Sequence, residues 1–155
     1  MHTHAFGEVM MPPSAIGQLR ELVSEGKVEL VNESGLGSQD RIVYDAAYRN
    51  LERVMISPQK PNKNKGEVSS LAYAKAKGIP VFATDEMNLQ PIIDAQLNVG
   101  MDDIRCIRIV DIIDKAYRGE LDIPGKICKA LWIVAGKRKE LFDREVWPLE
   151  GGRDG

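Results

Sequence analysis

Ile79-Pro80-Val81-Phe82-Ala83-Thr84-Asp85-Glu86 decides how this chain folds. A short apolar run closed by two acids reads as a buried strand. The residues before it read as a helix, with Val68, Leu71, Ala72 and Ala76 on its apolar face and a stop near Gly78. Leu89, Ile92, Ile93 and Leu97 after it make a second amphipathic helix. A further strand then runs from Ile104 to Val110, alternating at Ile107 and Ile109 beside Arg105 and Arg108. Two strands joined by a helix need a crossover connection, so 79–84 and 104–110 are expected to be parallel neighbours.

The same alternation extends outward. Glu8-Val9-Met10-Met11-Pro12 reads as a short strand, and Pro12-Pro13-Ser14 opens a helix that carries Ile16, Leu19, Leu22 and Val23 and ends at Gly26. Val28-Glu29-Leu30-Val31 is a candidate strand. Ser38 is expected to cap a long helix with the stripe Val43, Ala47, Leu51 and Val54. Residues 57–66 form the most loop-like internal segment. Towards the end, a short helix through Ile112, Ile113, Ala116 and Tyr117 stops at Gly119, and Pro124 opens another with Ile127, Leu131 and Val134 on one face. The order predicts an α/β protein: three α/β/α layers around a mostly parallel sheet. One domain over 6–147 is expected, between a disordered start at 1–5 and a disordered tail at 148–155.

At 155 residues and 43% hydrophobic, the chain is long enough for a real core. A formal charge of -2 argues against a globally basic nucleic-acid binder but leaves room for a local basic strip. No apolar run approaches the roughly 20 residues of a membrane span, and the start does not resemble a signal peptide. A cytoplasmic protein with reduced thiols at Cys106 and Cys128 is the expectation.

Asp85 and Glu67 carry the chemistry. Ligands of open α/β sheets bind at the carboxyl ends of parallel strands, which is where Asp85 falls. Glu67 sits in the first turn of the helix that leads into that strand. Two such carboxylates point to Mg²⁺ or Mn²⁺, hard cations that take oxygen ligands and keep much of their water. The plainer alternative is that Glu67 favours the helix dipole and Asp85 begins a turn. Lys60, Lys63 and Lys65 place three positive charges just before Glu67, suited to RNA phosphates or to a solvated loop. Asp94 reads as solvated or capping, and Asp102-Asp103 as a turn. His2 and His4 read as inert residues of the disordered start, and Trp132 and Trp147 as packing or dimer contacts.

Three segments in this order resemble the PIN-domain nucleases: Phe6 to Ile16, the Gly66-Glu67 helix from Lys65 to Ala74, and the acidic strand end Val81 to Glu86. The resemblance covers about residues 6 to 119. It implies a Mg²⁺- or Mn²⁺-dependent ribonuclease, with Glu67 and Asp85 as metal ligands and Glu86 as a supporting acid. It also implies toxin–antitoxin membership, with an antitoxin-like protein as partner. The family's first strand, whose Asp centres the metal site, has no counterpart before Phe6. Asp40 or Asp45 could replace that Asp only if the long helix bent toward the site. The expectation is therefore an incomplete or degenerate nuclease, or a non-catalytic PIN-like binding or scaffold module. A sheet lacking its central strand leaves an edge to cover, so a homo-oligomer is expected.

Overall fold

The structure is a computed structural model and describes residues 1–8 and 13–148. Its helices in chain order begin with α1 (Thr3–Glu8), α2 (Pro13–Ser24), α3 (Ser38–Met55) and α4 (Lys65–Ala76). Strand β1 (Val81–Ala83), helix α5 (Leu89–Gln96) and strand β2 (Arg105–Ile107) follow, and then α6 (Ile109–Tyr117), α7 (Gly125–Val134) and the short α8 (Lys139–Leu141). A π-helical turn over Phe142–Val146 closes the described chain. Among the described residues the protein is thus helix-rich with one small, parallel, two-stranded sheet.

The chain divides into two compact units: Met1–Phe82 with Asn88–Arg105, and Ala83–Met87 with Cys106–Gly155. In the first unit, α4 is the central element, packed by both α1 and α3. Its burial explains why. Gly66, Val68, Ser69, Leu71, Ala72 and Ala74 are all buried, so the helix is covered nearly all round, and its small residues let neighbours approach closely. Leu51 of α3, Leu89, Ile93 and Leu97 around α5, and Ile104 complete this core. The second unit has its own core of Ile113, Ala116, Cys128 and Phe142, with Trp132 and Trp147 packed against it.

The crossover logic holds. β1 and β2 pair in parallel, with the Arg105 N–H donating to the Pro80 carbonyl at 2.8 Å and the Thr84 N–H to the Ile107 carbonyl at 3.0 Å. The strand expected over 104–110 is shorter than its apolar run, because α6 already starts at Ile109. Asp111 Oδ2 accepts the Arg108 backbone N–H at 2.8 Å, a helix-opening contact that ends the strand. Gly78 and Gly119 stop α4 and α6 in the left-handed conformation that glycine adopts without strain, with φ of 62° and 73°.

Three expectations need correction. Residues 1–5 are not a disordered start: His2 pairs with Val31 in a parallel bridge, and Thr3 opens α1. Val28–Val31 accordingly contributes that one bridge in place of a strand. On α3 the buried stripe is Tyr44, Ala47 and Leu51, whereas Val43 and Val54 are 42% and 51% exposed. Of the strand expected at 8–12, Glu8 closes α1 and the rest lies outside the described residues, as do residues 149–155 of the expected tail. No helix among the described residues is long and apolar enough to cross a membrane.

Candidate functional site

Asp85 follows the carboxyl end of β1 in the second unit, as the crossover reading requires. Its side chain is exposed, and Oδ1 accepts the backbone N–H of Ile109, the first residue of α6, at 3.2 Å. A carboxylate at that position favours the positive end of the helix. Glu86 is also exposed, and its N–H donates to Thr84 Oγ1 at 3.1 Å in a local turn. Glu67 belongs to the first unit, half-buried in the first turn of α4. Lys60 and Lys63 are exposed on a turn-rich loop, while Lys65 is half-buried as the first residue of α4. No cluster of three or more His, Cys, Asp or Glu with metal-holding geometry occurs among the described residues; a two-carboxylate site is a smaller arrangement than that.

The other acids are occupied locally. Asp40 pairs with Lys77 at 2.9 Å and Asp45 with Arg41 at 2.9 Å. Asp94 accepts from the side-chain amides of Gln90 and Asn98, both at 2.7 Å, in line with a capping role. Asp102 has a φ of 49° and Asp103 accepts the Gly100 N–H at 3.0 Å, which makes the pair the turn that the sequence implies.

The first unit also holds a pocket of about 520 Å³ where α3 meets the start of α4. Its cations are Arg41, Arg49 and Lys65, its acids Glu33 and Asp45, and its rings His4, Tyr44 and Tyr48; Ser69 completes the wall. The Tyr44 and Tyr48 rings lie 5.9 Å apart at 30°, and the Arg41 guanidinium sits 5.7 Å from the Tyr44 ring. No protein-family model, curated protein or solved structure matches this chain. What the pocket does must therefore be argued from its own chemistry.

Behind its wall lies His2, only 2% exposed. Its ring stacks on His4 at 5.4 Å and on Tyr44 at 6.5 Å, and meets the edge of Tyr73 at 6.1 Å. Nδ1 accepts the His4 N–H at 3.2 Å, capping α1, so the proton of a neutral ring belongs on Nε2. Nε2 lies 3.3 Å from Glu33 Oε2, off the line of a well-formed hydrogen bond. Burial pushes the His2 pKa below its ordinary value; the Glu33 carboxylate pulls it back up and His4 pushes it down again. Burial likewise raises the Tyr44 hydroxyl, opposed by its interaction with Ser69.

A pH effect follows from His2. The folded state holds the ring neutral, whereas the unfolded chain takes up the proton near 6.5. The stabilisation from a neutral His2 is therefore fully present above that value and is lost as pH falls below it toward the lowered folded pKa. Thermal melts between about pH 7.5 and 5.5 should show a falling Tm, with a shallower slope in His2→Gln. An unchanged slope in that variant would assign the acid sensitivity to groups other than His2.

Sequence reasoning passed over this pocket because it followed apolar residues alone. Arg41, Tyr44, Asp45, Tyr48 and Arg49 repeat at i, i+3, i+4, i+7 and i+8, the spacing of a single helical face. A helix whose polar and aromatic residues keep core-like periodicity has a face designed for something other than bulk water. That signal was in the sequence.

Proposed function

We propose that this chain is a PIN-like, metal-dependent ribonuclease module with a three-layer α/β/α ancestry, in which Glu67 and Asp85 provide the metal carboxylates. The observation that supports this reading is Asp85 directly after the carboxyl end of β1, itself paired in parallel with β2. The donor set fits a hard cation: both groups offer carboxylate oxygens and neither is a sulfur or imidazole ligand. Two protein carboxylates leave most of a six-oxygen shell to water, so the binding is weak. When bound, such an ion activates a water for attack on a phosphodiester. The chain's own contribution is to hold that charge with Glu67 and Asp85, assisted by Glu86, and to hold RNA phosphates with Lys60, Lys63 and Lys65.

Mn²⁺ at about ten times its dissociation constant should raise Tm by roughly 3–6 °C, from the mass-action gain spread over a chain of this size. Glu67→Gln or Asp85→Asn should remove the rise, together with any slow Mn²⁺-dependent cleavage of single-stranded RNA. Cleavage that survives both substitutions would place the activity elsewhere. A non-catalytic binding or scaffold module is the second reading, favoured by the bond from the Ile109 N–H to Asp85. Under that reading, Asp85→Asn weakens the start of α6 and leaves RNA binding intact.

A further inference from the structure

We propose that the pocket between α3 and the start of α4 binds a nucleoside monophosphate, its phosphate held by Arg49 and Lys65 and its base and ribose by the ring and acid side of the wall. Three features of the first unit lead there, and none uses Glu67, Asp85 or Glu86, although Lys65 serves in both readings. The inference therefore goes beyond the ribonuclease reading and does not rest on it.

The first feature is charge. Arg41 is neutralised by Asp45 at 2.9 Å. Arg49 is not: its Nε donates to the Asp45 backbone carbonyl at 3.0 Å, which fixes the guanidinium plane without cancelling its charge. Lys65 stands on the first turn of a 12-residue helix, whose positive end adds to its own field. An oriented guanidinium and an ammonium on one pocket wall suit a phosphate monoester, because arginine presents a planar fork and lysine a point charge.

The second feature is Ser69. It is 1% exposed and lines the pocket beside the Tyr44 hydroxyl with which it interacts, and its buried Oγ makes no well-aligned hydrogen bond. A buried hydroxyl left unpaired costs stability, and a native protein keeps one where a ligand or ordered water completes it. Ser69 and Lys65 are four residues apart, so they share a face of α4; Glu67, two residues from each, lies about 200° around the helix.

The third feature selects a nucleotide over a bare phosphate. Tyr48 and His4 line the same pocket as the cations, and base–aromatic stacking tolerates any base. Glu33 and Asp45 would repel an isolated polyanion, yet carboxylates are good acceptors for ribose hydroxyls. Mixed charge beside rings thus fits a ligand with one anionic end, a diol and a flat base. A volume of about 520 Å³ lies within the range of small-molecule pockets.

Calorimetric titration of the full chain with adenosine 5′-monophosphate, in EDTA so that no metal takes part, tests the assignment. Saturable binding is expected, with inorganic phosphate and adenosine each at least about tenfold weaker. Arg49→Gln and Lys65→Gln should each weaken the nucleotide by about tenfold, with Tm unchanged in Arg49→Gln, whose side chain is exposed, and lowered only slightly in Lys65→Gln, whose side chain is half-buried. Ser69→Ala should weaken binding without loss of fold, because alanine fills the same small space. No saturation up to about 10 mM nucleotide, equal binding of phosphate alone, or full affinity in both cation variants would overturn the proposal.

Discussion

Phe142→Ala is expected to destabilise the C-terminal unit by about 3–5 kcal/mol, the range for deleting a buried aromatic ring. Phe142 is 2% exposed within a core of four buried residues among those described, so the ring is a large share of what the unit buries. Its ring is stacked 6.2 Å from Trp147 at 11° and tilted 6.2 Å from Trp132 at 59°. Trp147 in turn meets the edge of Tyr117 at 5.3 Å, and its backbone N–H donates to the Phe142 carbonyl at 2.7 Å. Gly125 leaves room for that indole: a Cβ there would fall 3.0 Å from the Trp147 ring. Both tryptophans of the chain report on this cluster, so urea unfolding followed by their fluorescence measures the loss directly. Val134→Ala is the control, since Val134 is 82% exposed and should change stability by less than about 0.5 kcal/mol. A loss below about 1 kcal/mol for Phe142→Ala would mean that the aromatic cluster does not hold the unit together.

That cluster shows where the sequence was legible and where it was not. Trp132 and Trp147 read as packing or dimer contacts, and within the chain they pack. The turn that brings them together did not read at all, because Phe142–Val146 is a single π-helical turn with no periodic signature of its own. Helix ends marked by a proline or a glycine were readable: α2 from Pro13, α4 to Gly78, α6 to Gly119 and α7 after Pro124; Ser38, expected to cap α3, is instead its first residue after the N-cap Gly37. For α4 and α6 a local backbone preference and the apolar spacing agree, whereas on α7 the expected face of Ile127, Leu131 and Val134 does not hold: Cys128 is the buried residue, and Ile127 and Val134 are 46% and 82% exposed. The parallel pairing of β1 and β2 was readable for the same reason, since the length of the connection dictates it.

Long-range pairing was the part that local signals could not supply. His2 looks inert as a residue two from the start, and becomes a buried cap and ring partner only because Val31 pairs with it. The candidate carboxylates show the same division. Asp85 was placed at its strand end from the sequence, while its bond to Ile109 depends on where α6 begins. The pocket cations were visible as residues, but Arg49 and Lys65 are 16 positions apart, and only the packing of α3 on α4 brings them to one wall.

Leu51→Ala should cost about 2–5 kcal/mol, and its contrast with two neighbouring valines tests the register of α3. From apolar residues alone, Val43, Ala47, Leu51 and Val54 share a stripe. In the structure the helix is turned so that Tyr44 replaces Val43, and the buried line runs through Tyr44, Ala47 and Leu51 at i, i+3 and i+7. The physical reason is size: the Tyr44 ring stacks on His2 and lies against Tyr48, a larger apolar gain than a valine offers at the same level. Val54 lies about 60° round the helix from Leu51 and is 51% exposed. Leu51 is fully buried and packs where α3 runs along α4, so truncating it leaves a cavity that two helices must share. Val43→Ala and Val54→Ala should each lie within about 0.5 kcal/mol of the parent chain. Thermal or urea unfolding of the three variants decides the matter. Similar losses at positions 43, 51 and 54 would return the helix to the apolar register and remove Tyr44 from the pocket wall, whereas a loss confined to Leu51 fixes the polar face of α3 toward the pocket.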